Sequence, residues 1–505
     1  MSQQTPVTGV AATWTTLAMG LGSAVVVGDF TVLSSNLATV QRGLQCSAGT
    51  TIFVACLASL TLAAAVLGAG VLGDKYGAKR MFVAGTCGAV VFGLLAAAAP
   101  SAAVLLIARA CIGVSFAFLS SLSLAIINMV FPPDQRAAAI ARYLAVVYAF
   151  GVAPPAIASL LVKYAGWRSG FLITPVLAII VLVITLRYVP ETQRTHRKTD
   201  IPGLLLVAVA LIGLIYGISQ LQTGLQFGSV APILIGILAA AAFVWWELRA
   251  DEPALDMRIF RSPRFDAALT AGAASNLIQG GAMMTLTYNL FIRGASAQTF
   301  ALLIIPATLV SALAALGAGW AAARLGVRAV LVTGLTVVAL SQLGRQWFEV
   351  GTPIVAVAAV MALTSMGGAI VQTPQTTILM SSAPTHLGGV VSAVKGSVAG
   401  TSYSLGAALF PLLGVALFNS DANLARAGIS REQARDALRV ARGLTSSSPS
   451  GGTLDPHRTE WVLSEATPIM FNAAHTLNLV MMVAPVTAIV LALVLLRREP
   501  AGPPE

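Results

Sequence analysis

Apolar residues in this chain fall in long unbroken runs parted by short polar or basic breaks. A membrane-spanning helix needs about 20 mostly apolar residues, and on that ruler the runs predict fourteen crossings: 13–40, 51–72, 81–99, 101–130, 137–162, 171–186, 201–219, 230–246, 265–291, 299–320, 329–343, 352–372, 390–418 and 469–496. An even count puts both termini on one side. Basic residues concentrate in alternate breaks, among them Lys75, Lys79, Arg80, Arg136, Arg142, Arg187, Arg194, Arg197, Lys198, Arg249, Arg324, Arg328 and Lys395. The intervening short loops hold only Arg42, Lys163, Arg168, Arg293 and Arg345. By the positive-inside rule the termini are cytoplasmic and the chain is a multi-pass protein of the cytoplasmic membrane.

One break organises the rest. Residues 70–80, GVLGDKYGAKR, form a charged, glycine-punctuated turn between two apolar runs, and Gly77 can take the positive φ that so tight a turn needs. Residues 319–328, GWAAARLGVR, repeat it: Gly319 matches Gly70, Gly326 matches Gly77 and Arg328 matches Lys79. A turn recurring at a fixed offset predicts two halves built alike. Residues 1–190 are expected to form a first six-helix bundle. Residues 191–264 should supply a basic cytoplasmic linker and two inserted helices, and residues 265–505 a second six-helix bundle with a long outer loop at 419–466.

Composition agrees with a membrane class. Hydrophobic residues are 57% of the 505 and charged residues 10%, which excludes a water-soluble domain. The net charge of +11 belongs to the basic cytoplasmic connections and implies no nucleic-acid partner. Cys46, Cys56, Cys87 and Cys111 lack metal-ligand spacing, and His196, His386, His457 and His475 form no catalytic constellation. No enzyme, metal or cofactor is expected. Within 419–466, Ser430 and Gln433 form a capping box before a short basic helix, followed by a Ser/Gly tract.

An ionisable group at membrane depth costs free energy and is a functional candidate by default. Asp29 lies about 11 residues from the outer end of the first run, roughly 16 Å in, and Arg109 about eight residues, roughly 12 Å, from the same side of the fourth. Asp29 shares a helical face with Gly22, Val26, Leu33 and Asn36; Arg109 shares one with Gly113, Phe116, Ser120 and Ser123. Two readings stay open: a permanent structural ion pair, or a carboxyl whose proton affinity changes as Arg109 or water moves. The second half offers Asn276, Gln279, Thr285, Tyr288, Asn289, Gln372 and Gln375, which could bond a substrate or each other. Met283 and Met284 add soft apolar surface.

Together these residues resemble the major facilitator superfamily, specifically its fourteen-helix drug:proton antiporters. The family's G-x-x-x-D-x-x-G-R-K loop maps onto Gly70, Asp74, Gly77 and Lys79, with Ala78 where an arginine is usual and Arg80 following. Its first-helix D-x-T-V maps onto Asp29, Thr31 and Val32, and its fourth-helix pattern onto Arg109 and Gly113. The segments GWRSGFLITP, 166–175, and YNLFIRGASA, 288–297, also resemble family segments. The fifth-helix run departs: FGVAPPAIAS keeps Gly151, Pro154 and Pro155 but has Ala158 and Ser159 where glycines are usual.

The resemblance implies an all-α major facilitator fold of two rocking six-helix bundles plus two extra helices, with alternating access to a central cavity. It implies proton-driven export of amphipathic drugs by a monomer, with protons, the lipid bilayer and a small amphipathic substrate as partners. Asp29 and Arg109 are its expected proton-coupling pair. Gly70, Asp74, Gly77, Lys79 and Arg80 are its gating loop, with Asp74, Lys79 and Arg80 bracing the cytoplasmic ends of the bundles. Asn36, Phe116, Ser120, Asn276, Gln279, Tyr288, Asn289 and Gln372 are its cavity candidates, and Gly151, Pro154 and Pro155 its helix-five hinge. The altered helix-five run keeps open an exporter of a lipid or endogenous metabolite with weak or no proton coupling.

Overall fold

The computed structural model describes residues 9–45, 48–151, 153–192, 200–220, 227–250, 255, 260, 262–292, 297–349, 352–382, 388–418 and 467–496. These are helical, with no strand among them. In chain order the helices are α1 (Gly9–Leu44), α2 (Ala48–Tyr76), α3 (Ala78–Ala97), α4 (Ala102–Val130), α5 (Pro133–Gly151), α6 (Ala153–Ala165), α7 (Trp167–Gly170) and α8 (Ile173–Tyr188). They continue as α9 (Ile201–Gln220), α10 (Phe227–Glu247), α11 (Pro263–Ile292), α12 (Ala297–Leu325), α13 (Val327–Gly344), α14 (Ile354–Ser381), α15 (Gly388–Phe418) and α16 (Thr467–Leu495).

Eleven of these stretches are long and apolar enough to cross a membrane. The further expected runs 137–162, 265–291 and 390–418 fall on α5 with α6, on α11 and on α15, each of which includes residues or side chains outside the described ones. The outer loop 419–466, with its expected capped helix, lies outside the described residues.

The packing follows the two halves. In the first, α1 lies against α4, α5 and α8, and α2 against α4. In the second, α11 lies against α14, α15 and α16, and α14 against α12 and α13. Between the halves, α15 packs on α2 and α4, and α12 and α14 pack on α5. The inserted pair is tied together by small residues. A Cβ on Gly213 would stand 2.6 Å from the Pro232 carbonyl, and one on Gly236 would stand 2.7 Å from the Leu214 nitrogen. Asp200 caps α9 through the Gly203 amide at 3.0 Å and accepts from the Trp246 indole at 3.0 Å, which fixes both ends of the pair at one level. Because α9 touches both α2 and α15, the pair covers the seam between the halves.

The repeated turn proves to be a repeated contact. Gly77 and Gly326 both adopt positive φ, 101° and 85°, at the start of α3 and of α13. Two turns upstream, Gly70 meets α15 and Gly319 meets α5. A Cβ on Gly70 would lie 2.6 Å from the Gly389 carbonyl, and one on Gly319 would lie 2.3 Å from the Ala141 methyl. Glycine at these two positions is what lets helices of opposite halves touch.

Candidate functional site

The first-half site is built on three helices. Asp29, at the middle of α1, and Arg109, in the second turn of α4, are 5% and 0% exposed. Their depths, read from run ends, differ by about a turn, and the structure brings them into direct contact. Arg109 Nη1 donates to Asp29 Oδ2. Thr174 Oγ1, from the first turn of α8, donates to Asp29 Oδ1 at 2.7 Å. Both carboxylate oxygens are therefore held, one by a cation and one by a hydroxyl. Arg109 Nε and Nη2 are buried with no hydrogen-bond partner.

Local sequence explains this assembly. Gly113, one turn beyond Arg109, presses α4 onto α2: a Cβ there would be 2.0 Å from Thr61 Oγ1 and 2.2 Å from the Ala58 carbonyl. Gly28, beside Asp29, lets Pro154 of α6 approach, with 2.8 Å from an added Cβ to the proline ring. Gly151 closes α5, where a Cβ would meet Val27 at 3.4 Å. Pro155 lies outside the described side chains. The segment 166–175 locks the entry to α8. Gly166 takes a φ of 79°, the Arg168 guanidinium lies 4.5 Å over the Trp167 ring, and Arg168 Nη2 donates to the Ala99 carbonyl at 3.1 Å. That anchor sets Thr174 opposite Asp29.

Below the ion pair is a second polar knot. Ser23 hydrogen-bonds Tyr143 at 2.8 Å and donates to Ser123 at 3.3 Å, joining α1, α4 and α5. Phe116 is fully buried and meets Phe30 edge-on at 5.9 Å, whereas Ser120 bonds only its own helix, at the Ala117 carbonyl. Sequence reasoning missed Thr174, Ser23 and Tyr143. A hydroxyl in an apolar helix carries no periodic signal, and only the fold reveals which carboxylate it faces.

The gating turn divides in two. Asp74 is 7% exposed and crosses to the second half: Oδ1 accepts from the Gly389 amide at 3.1 Å and Oδ2 from the Val390 amide at 3.3 Å, at the N-terminus of α15. A carboxylate there satisfies orphan N–H groups and faces the positive end of the helix dipole. Lys79 and Arg80, expected to brace the two bundles, do not reach the second. They approach Glu191 at 3.7 and 3.5 Å, and the Lys79 amide donates to Thr192 at 3.1 Å. The basic residues thus fasten the linker to the first half, and Asp74 alone of the three spans the gap.

In the second half, the amides lodge between helices. An added Cβ on Gly272 of α11 would lie 1.7 Å from the Gln375 amide of α14, and one on Gly368 of α14 would lie 2.5 Å from the Gln279 amide of α11. Each glutamine fills a notch that the other helix's glycine leaves open. Asn276 bonds back to the Gly272 carbonyl at 2.8 Å, and Gln372 is 9% exposed. Of the expected cavity residues, Asn36, Tyr288 and Asn289 lie outside the described side chains, as do Thr285, Met283 and Met284. Lys395, counted with the cytoplasmic connections in the sequence, stands seven residues inside α15 and is half-buried.

Comparison with known proteins agrees with this geometry. A family profile described as Major Facilitator Superfamily matches residues 19–411. The chain is 29% identical over 415 residues to the multidrug resistance protein Stp of Mycobacterium tuberculosis, covering 80% of this chain and 75% of that one. It is 28% identical over 510 residues to the tetracenomycin C resistance and export protein of Streptomyces glaucescens, covering 97% and 92%. It is 29% identical to the multidrug efflux pump LfrA of Mycolicibacterium smegmatis, covering 78% of each. Among solved structures, the fold is similar to the human organic anion transporter MFSD10, with a TM-score of 0.58 at 14% identity, covering 95% of this chain and 100% of that one. It is also similar to the proton:xylose symporter XylE, with a TM-score of 0.57 at 12% identity, covering 94% of each. Two halves joined at a repeated glycine turn, an ion pair buried between helices of the first, and a profile match across most of the length lead to one assignment: this chain belongs to the major facilitator superfamily.

Proposed function

We propose that this protein is a proton-coupled exporter of amphipathic small molecules across the cytoplasmic membrane, with both termini in the cytoplasm. The relatives named as multidrug resistance, efflux and export proteins support drug-like cargo. The observation that carries proton coupling is the hold on both carboxylate oxygens of Asp29 by Arg109 and Thr174. These bonds run from α1 to α4 and α8, so a proton on Asp29 weakens ties among three helices at once. Loss of those ties is the link between protonation and a change of helix arrangement that an antiporter needs.

Asp74 sets the other half of the cycle. Its bonds to the α15 terminus hold the ends of α2 and α15 together, which supports reading this contact as the closed cytoplasmic gate. Opening inward breaks two charge-assisted hydrogen bonds. No cofactor takes part; the proton gradient supplies the energy, and one chain contains the whole path.

The test is uptake of an amphipathic dye by everted membrane vesicles, with an imposed pH gradient and after its collapse. The proposal expects dye movement that follows the gradient in wild type and is absent from Asp29→Asn. Movement that ignores the gradient would leave an exporter without proton coupling.

A further inference from the structure

The helices of the second half hold a cation that the ion pair does not use. From α11 to α16 the helical sequence contains one acid, Asp266, in the first turn of α11. Against it stands Lys395, seven residues into α15, about 10 Å along the helix from Gly388. No described acid lies within ion-pair distance of it, and Asp29 already engages Arg109. A charge at this depth without a carboxylate partner is costly.

Register places Lys395 between the halves. Gly388 stands against α4, where an added Cβ would meet Ala125 at 3.6 Å and Asn128 at 3.7 Å. Seven residues are two turns, so Lys395 lies on that same face of α15, above the contact that closes the cytoplasmic end. It is half-buried there, neither sealed in the core nor free on the outside. Its i−3 neighbour, Ser392, is 3% exposed, and Ser392 Oγ has no hydrogen-bond partner. A hydroxyl donor and an ammonium are thus adjacent on one face, both lacking an acceptor among the described residues.

We propose that Lys395, with Ser392, binds an anionic group on the transported molecule, a sulfonate, carboxylate or phenolate. The inference rests on the export reading above and narrows its cargo to acidic or zwitterionic amphipaths. An ammonium and a hydroxyl three residues apart both donate and neither repels an oxyanion. A permanent cation, by contrast, would meet like charge in a water-poor site.

A matched pair of probes tests this. The dye 8-anilinonaphthalene-1-sulfonate and N-phenyl-1-naphthylamine share one ring system and differ by the sulfonate. Uptake of each is measured in everted vesicles containing wild type, Lys395→Gln or Lys395→Arg, with protein-free liposomes as the partition control. The proposal expects wild type to favour the sulfonate, Lys395→Gln to lose about tenfold in apparent affinity for it, and Lys395→Arg to keep most of it. The neutral dye should be handled alike by all three, which also shows that the variants fold. Equal affinity of wild type and Lys395→Gln for the sulfonate overturns the inference while leaving the export reading intact. Failure of wild type to move either dye, with sulfonate binding still dependent on Lys395, would instead sink the export reading and spare the site.

Discussion

The two halves of this transporter carry the same turn and do different chemistry with it. In the first copy Gly70 brings α2 against α15 and Asp74 then bonds the α15 terminus. In the second, Gly319 brings α12 against α5, but Ala323 stands where the first copy has Asp74, and Arg328 turns to the Leu493 carbonyl within its own half. One seam is therefore closed by hydrogen bonds to a charge and the other by close apolar contact. The same contrast holds in the interior. The first half buries Asp29 with Arg109 and Thr174, whereas the second packs Gln279 and Gln375 into glycine notches. The first half buries an ion pair between its helices, and the second fills the contact of α11 with α14 with neutral amides.

The largest expected effect breaks that contrast outright. Arg109→Ala leaves a buried carboxylate without its cation, and should destabilise the protein by about 3–5 kcal/mol and abolish gradient-driven efflux. Thermal unfolding in detergent, followed beside vesicle efflux, checks both. Near-wild-type stability would mean that the pair carries little of the first half's packing.

Gly113→Val is next. Its Cβ would strike Thr61 and the Ala58 carbonyl, so overpacking of about 1–3 kcal/mol is expected. Gly228→Ala, where nothing lies within 4 Å, is the control and should change unfolding little.

Asp74→Asn removes the charge at the α15 terminus but keeps an acceptor there. Turnover should fall by about tenfold, in line with 1.4 kcal/mol on the barrier, while dye binding to the purified protein is retained. Wild-type turnover would show that the α2–α15 seam needs no charge.

Gln279→Leu is the smallest. Interhelical polar contacts in membranes average about 0.6 kcal/mol, so a modest loss of stability with efflux preserved is expected. Lost efflux at unchanged stability would move Gln279 from packing to cargo recognition and undo the division between the halves.

Much of this was legible in the chain itself, for identifiable reasons. Long apolar runs mark spanning helices because lipid tolerates little else, and the repeated Gly-x6-Gly turn is visible because a close contact and a positive φ each demand glycine at a fixed place. Asp29 and Arg109 stood out by the cost of burying charge. Thr174 did not, since a threonine in an apolar run is cheap and common. Nor did the difference between Asp74 and its basic neighbours: all three sit in one turn, and only the path of α15 decides which of them meets a helix terminus. Gln279 and Gln375 looked alike as cavity or packing residues until Gly272 and Gly368 were found opposite them.

The most direct test of the central claim is proton release on adding a transported dye to the purified protein in weakly buffered detergent solution near neutral pH. Wild type should release protons as the dye binds and Asp29→Asn should release none. Equal release from both would place the coupling proton elsewhere and leave the contact of Asp29 with Arg109 and Thr174 a purely structural one.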